Sequence, residues 1–166
     1  LGHQSHHLIA RVVSGGQTGA DRAALDAAIA AGVPYGGWCP AGGWAEDLPD
    51  PPGLLALYPG LAETDTRDPD VRTRLNVRDS DATLVVQGQD TPSPGSDLTR
   101  RTAAKLERPV LMTDGNDLDE VIGWLDGMGP GLTLNVAGPR ESEQPGAYEL
   151  TRKLLAGVLR PGAAST

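Results

Sequence analysis

The segment SGGQTGAD, residues 14–21, holds three glycines between an apolar run and an alanine-rich stretch of helical period. Glycines at a helix start leave backbone N–H groups uncovered, and those groups carry partial positive charge suited to a phosphate or similar oxyanion. Gly15, Gly16, Gln17, Thr18 and Gly19 therefore form a candidate anion cradle. The spacing is G-G-x-x-G, neither the G-x-G-x-x-G of a dinucleotide fold nor a P-loop. Thr18 and Asp21 also have capping-box spacing, so helix initiation is the competing role for that pair.

Three further clusters could carry chemistry. In VRTRLNVRDSDATLVV, residues 71–86, Arg72 lies early in a helical pattern and Asn76 one turn later, so an arginine and an amide share a face. Arginine forks onto phosphate or carboxylate oxygens and never loses its charge. Asp79 and Asp81, at the other end of that helix, read as turn and cap residues. In SPGSDLT, residues 93–99, Gly95, Ser96 and Thr99 open a helix, either as an N-cap at Ser96 or Asp97 or as a second oxyanion cradle. In NVAGPRESEQPG, residues 135–146, Asn135, Gly138, Arg140, Glu141 and Ser142 follow an apolar run, and Pro145 suits a first helical turn. Glu46 and Asp47 could form an acid/base pair, although adjacent carboxylates point apart more often than they cooperate. Cys39 reads as a packing residue.

The residues that are missing narrow the chemistry. All three histidines, His3, His6 and His7, fall in the first seven residues, a segment expected to be a tag remnant or a disordered terminus. Without them, Ser-His-Asp, Cys-His and His-ligated zinc chemistry lack a base or ligand. Both lysines, Lys105 and Lys153, sit inside helical patterns, which disfavours a phosphate-loop lysine or a Schiff base. The formal charge of −8 repels nucleic acid and anionic membrane at long range. An anionic ligand must then be held by local arginines and backbone donors. One cysteine in 166 residues fits a reducing compartment, and no apolar run reaches the roughly 18 residues of a membrane helix. The expected location is cytoplasmic.

Strand-like runs at 10–14, 35–39, 82–86, 109–112 and 132–136 alternate with helical patterns at 20–31, 69–78, 97–107, 118–127 and 147–159. That alternation predicts one α/β domain over 8–160: three layers, Rossmann-like, with a mainly parallel sheet of about five or more strands. Right-handed crossovers then bring the three glycine-rich loops to the carboxyl edge of the sheet, where such folds bind ligands. Residues 40–67 are long and rich in Pro, Gly and acid, as expected of a lid, a binding loop or disorder, and 161–166 read as a frayed tail.

SGGQTGADRAALDAA, GGWCP, AED, LNVRDSDATLV, GSDLT and LNVAGPRES occur here in the order seen in the molybdenum carrier (molybdenum-cofactor carrier) protein family. The chain resembles that family from about residue 11 to 159. The resemblance implies a Rossmann-like fold related to lysine-decarboxylase-like proteins and a non-catalytic carrier of molybdenum cofactor, a phosphorylated pterin dithiolene. It also implies that Gly15, Gly16, Gln17, Thr18, Gly19, Asp21, Arg72, Asn76, Gly95, Ser96, Thr99, Asn135, Gly138, Arg140, Glu141 and Ser142 hold that cofactor or another phosphorylated small molecule. Pro94, Trp44 and Leu48 depart from the family pattern of glycine, basic residue and glycine.

Related phosphoribohydrolases keep an arginine where Arg72 stands and use a glutamate where Leu98 or Thr99 stands here. The gripping arginine without the acid favours binding over hydrolysis. The alternatives are a nucleotide or nucleoside-phosphate hydrolase using Glu46 or Asp47, and a nucleotide-derivative sensor. The expected partner is a small anionic ligand, with a homo-oligomer compatible and neither nucleic acid nor membrane involved.

Overall fold

Runs rich in Val, Leu and Ile become strands where they can be buried on both faces, and here they pair in parallel throughout. The structure, a computed structural model, describes residues 9–160. The expectations for residues 1–7, with their three histidines, and for 161–166 fall outside the described residues. In chain order the elements are β1 (Ile9–Val13), α1 (Ala20–Ala31), β2 (Tyr35–Gly36), β3 (Trp38–Cys39), α2 (Leu54–Leu57), β4 (Ala62–Glu63) and α3 (Pro69–Arg78). Then follow β5 (Ala82–Val86), α4 (Pro94–Lys105), β6 (Val110–Thr113), α5 (Leu118–Asp126), β7 (Leu132–Ala137) and α6 (Ala147–Val158).

The main sheet has five parallel strands in the order β2-β1-β7-β5-β6. The last strand, β7, thus fills the gap between β1 and β5. Moving the terminal β7–α6 unit to the front of the chain would turn this order into 3-2-1-4-5, that of a doubly wound sheet. The chain reverses its winding direction between β7 and β5. In such sheets the crevice beyond the carboxyl ends at that point receives ligands.

The two faces of the sheet differ in chemistry. Helices α1, α5 and α6 pack together on one face over an apolar core that includes Val12, Leu84, Leu134, Val136, Leu125 and Leu155. Helices α3 and α4 pair on the other. There the buried set mixes small apolar residues, Val77, Val85 and Ala103, with polar ones: Thr73 and Asn76 from α3, Ser96 and Thr99 from α4, and Thr83 and Asn135 from the strands. Period-2 alternation accounts for the split, since Leu134 and Val136 point one way and Asn135 the other.

Residues 35–39 do not form one strand. Gly37 has φ 131°, and a Cβ there would collide with the Ser14 carbonyl. Tyr35–Gly36 accordingly stays with β1, while Trp38–Cys39 leaves to pair with β4 in a separate two-stranded sheet. The 40–67 segment is ordered rather than a loose lid. It builds a small core from Leu25, Cys39, Ala45, Leu54, Tyr58 and Leu61. Asp26 of α1 ties it down by accepting from the Tyr58 hydroxyl at 2.6 Å, and accepts the Tyr148 hydroxyl of α6 as well.

Candidate functional site

Loops after β1, β5 and β7, the start of α3 and Trp44 of the ordered segment surround a cavity of about 280 Å³. Of the residues expected to form a site, Gln17, Asp21, Arg72, Gly95, Thr99, Gly138 and Arg140 line it. Gly15, Asn76 and Asn135 line a small void that shares Asp21 and Arg72 with the cavity wall. Thr18, Gly19 and Glu141 instead line a groove on the other side, beside Arg22 and Tyr58. Gly16, Ser96 and Ser142 line neither space: Gly16 faces Leu54 and Leu61, Ser96 is buried, and Ser142 hydrogen-bonds Glu46.

The glycines of the first loop are filled from within the protein. A Cβ on Gly15 would run into the Arg72 guanidinium, with Cζ 2.9 Å away. A Cβ on Gly19, whose φ is 79°, would meet the Pro139 carbonyl and stand 2.8 Å from the Glu141 nitrogen. The β7–α6 loop therefore lies directly on the start of α1, and Ala20 N donates to Pro139 O at 3.4 Å. Gly95 differs, since nothing lies within 4 Å of the position its Cβ would take.

Thr18 and Asp21 do not form a capping box. The N-cap is Gly19, without a side-chain cap. The Thr18 hydroxyl donates to Glu46 and accepts from Glu141 N at 3.1 Å. Asp21 turns inward to Arg72 Nη1 at 3.2 Å. Burial pushes its carboxyl above the ordinary range, against the pull of Arg72. Arg72 Nε is buried without a hydrogen-bond partner.

Other expected caps shift for local reasons. Ser93, not Ser96 or Asp97, caps α4, because Pro94 is placed at the first helical position and Ser96 N reaches Ser93 Oγ. Pro145 precedes α6, whose N-cap is Gly146 at φ 93°. The Glu141 carboxylate serves that helix by accepting from Gly146 N at 2.7 Å and Tyr148 N at 2.9 Å. Asn76 acts like a strand edge, with its amide both accepting from Trp38 N and donating to Trp38 O. Asn135 donates to Thr83 Oγ1 at 3.3 Å.

Glu46 and Asp47 point apart, as adjacent carboxylates tend to do. Asp47 takes a bidentate pair from Arg22 at 3.0 and 2.8 Å, which lowers its pKa. Burial raises Glu46, but donors from Thr18, Ser142 and Arg140 outweigh it and leave the carboxyl below its ordinary value. Both are held ionised, which suits clamps better than general acids. Cys39 is buried, and burial pushes its thiol up to about 11. It is a packing residue, not an activated nucleophile.

Sequence reasoning missed Asp70, Thr73, Ser93 and Glu143, which also line the cavity. The Asp68-Pro69-Asp70 start of α3 was the available signal, because Asp68 Oδ1 caps Asp70 N at 2.9 Å and sets where the helix begins. Nothing local pointed to Glu143, which meets Arg140 only because the loop folds back: Oε1 accepts from Arg140 N at 2.9 Å and lies 3.5 Å from Nε. The cavity thus mixes two arginines with three carboxylates, an arrangement that can grip an anionic group and also accept ring N–H donors.

Among the described residues no group of three or more His, Cys, Asp or Glu is placed to hold a metal ion, and no helix is long and apolar enough to cross a membrane. No curated protein matches the chain. Among solved structures, the chain is similar to a protein from Syntrophus aciditrophicus SB described as a "Putative molybdenum carrier protein". Identity is 38% over 93% of this chain and 96% of that one, with a TM-score of 0.80. The model of the circularly permutated YpsA SLOG family matches residues 12–159. The central placement of the chain's last strand agrees with that description. The chain belongs to the circularly permutated YpsA SLOG family.

Proposed function

We propose that the protein is a cytoplasmic carrier that holds a phosphorylated small molecule in the cavity at the carboxyl edge, and that its cargo is molybdenum cofactor. The observation that carries this reading is Arg72, a cavity-lining arginine whose buried Nε has no partner in the protein. A desolvated guanidinium nitrogen left unpaired is costly unless a ligand supplies the acceptor. Arg140 adds a second cation, and Gly95 leaves the start of α4 open to close approach. About 280 Å³ lies at the lower end of ligand-site volumes, which suits a compact phosphorylated head rather than a dinucleotide.

The residues present fit the cofactor's chemistry. Arginines and helix-start donors suit its phosphate, and Asp70 or Glu143 can accept from ring N–H groups of a pterin. The Syntrophus aciditrophicus protein's description as a molybdenum carrier supports the carrier role. A hydrolase built on Glu46 or Asp47 is not favoured, because both carboxylates are engaged by the protein's own donors.

The test is to purify the protein without oxygen, extract its ligand, and measure oxidised-pterin fluorescence, molybdenum content and ligand mass. Stoichiometric pterin and molybdenum are expected. Their absence, together with no uptake of added cofactor, would overturn the cargo assignment.

A further inference from the structure

The Glu46 carboxylate rests among donors of the kind that hold an oxyanion. Oε2 accepts from the Thr18 hydroxyl and from Ser142 N at 3.4 Å. Oε1 accepts from Ser142 Oγ at 2.7 Å and Arg140 Nη1 at 3.4 Å. Two hydroxyls, a backbone N–H and a guanidinium therefore converge from two separate loops, those after β1 and β7. Such a mixed set is what phosphate oxygens receive in binding sites.

The segment carrying Glu46 does not depend on that side chain to stay in place. Glu46 N donates to Gln17 Oε1 at 2.9 Å, Asp47 pairs with Arg22, Ala45 is fully buried, and Leu54 anchors the small core. The carboxylate can leave its donors while the segment keeps its attachments. Arg140 also lines the ligand cavity, as does Trp44, two residues before Glu46. The donor cluster and the cavity thus share Arg140.

We propose that Thr18, Arg140 and Ser142 form an oxyanion subsite bordering the cavity, and that Glu46 is an internal stand-in which a phosphate-class anion displaces. This rests on the reading that the cavity receives an anionic ligand, and it names the regulation of that site. A tethered carboxylate competes at an effective concentration of order mM, so weakly held monoanions do not dislodge it. A dianionic phosphate ester with a body that also fills the cavity does. Glu46 then sets a threshold: the apparent affinity for every anion is scaled by the fraction of time Glu46 leaves the site free.

The experiment titrates the full chain with inorganic phosphate by calorimetry at fixed ionic strength, with folding of each variant checked by thermal unfolding. Glu46→Ala is expected to bind phosphate about tenfold or more tightly than the unsubstituted protein. Glu46→Gln, which keeps the side-chain shape, should fall between them and decides the matter if Glu46→Ala does not fold. Adding Arg140→Gln to Glu46→Ala should abolish the gain. Asp50→Asn removes the same charge from an exposed position four residues away and should leave phosphate affinity unchanged. Equal affinity in the Glu46 variants and the unsubstituted protein, or an equal gain in Asp50→Asn, would overturn the proposal. Failure of the cargo assignment would look different: the Glu46 pattern would persist in a protein that takes up no pterin. Cofactor uptake with a flat phosphate response would instead remove the subsite alone.

Discussion

The Arg72 guanidinium lies across Gly15 and meets the Asp21 carboxylate at 3.2 Å, joining α3 to α1 beneath the cavity. Both side chains are largely buried, at 14% and 4% exposure. Removing one partner of such a pair leaves an uncompensated charge, typically at a cost of about 3–5 kcal/mol. Arg72→Gln, which leaves the buried Asp21 carboxylate unpaired, should therefore lower stability at neutral pH by about 3 kcal/mol. The urea midpoint should fall with an unchanged denaturant slope. Combining it with Asp21→Asn should recover much of the loss, because the stranded charge is then gone. A single variant as stable as the unsubstituted protein would show that the pair contributes little.

Two glycines with similar motif roles should respond in opposite ways. A methyl on Gly15 would force the Arg72 guanidinium out of position, since Cζ and Cδ would stand 2.9 and 3.0 Å from it. Gly15→Ala should cost about 1–3 kcal/mol, the usual range for overpacking, and should weaken ligand uptake with it. Gly95 sits in the first turn of α4 with open space around it. Gly95→Ala should hold stability or raise it by up to about 1 kcal/mol through helix propensity. Its added methyl enters the cavity wall, so ligand uptake should fall all the same. Thermal unfolding and ligand titration on the two variants separate a glycine needed for packing from one needed for access.

The sequence was most legible where periodicity is strong. Helices at 20–31 and 69–78 and the strand at 82–86 match their expected bounds, because apolar spacing and the flanking Gly19, Gly32 and Asp68-Pro69 mark them locally. The cavity-lining roles of Gln17, Arg72, Gly95 and Arg140 followed from placing glycine loops and helix starts at one sheet edge. What depended on tertiary contact was hidden. Nothing in GGWCP shows that Gly37 must clear the Ser14 backbone and so split the strand. Likewise the glycines of SGGQTGAD resemble a ligand cradle, yet Arg72, Leu54 and the 139–141 backbone fill the space beside them. Thr18 and Ser142 were read as ligand contacts from their loops, but only the fold reveals that both donate to Glu46, 28 and 96 residues away in the chain.

Acid should act on the site in two stages of opposite sign. The Asp21 carboxyl has a folded pKa raised above its ordinary 3.8. Its ionisation therefore works against the fold above the raised value, and that penalty is relieved as pH falls from there toward 3.8. Glu46 and Asp47 have folded values below their ordinary 4.5 and 3.8. What they contribute is fully present above those ordinary values and is lost as pH falls through the lowered ones. Mild acid should thus leave stability level or slightly improved on account of Asp21, and stronger acid should remove what the Glu46 and Asp47 carboxylates contribute. Relief of the −8 net charge contributes in every variant, so differences between variants isolate each group. Urea unfolding across a pH series should show the mild-acid gain vanish in Asp21→Asn and the stronger-acid loss shrink in Glu46→Gln. Parallel pH profiles for all three proteins would mean that neither carboxyl couples to folding in the stated direction.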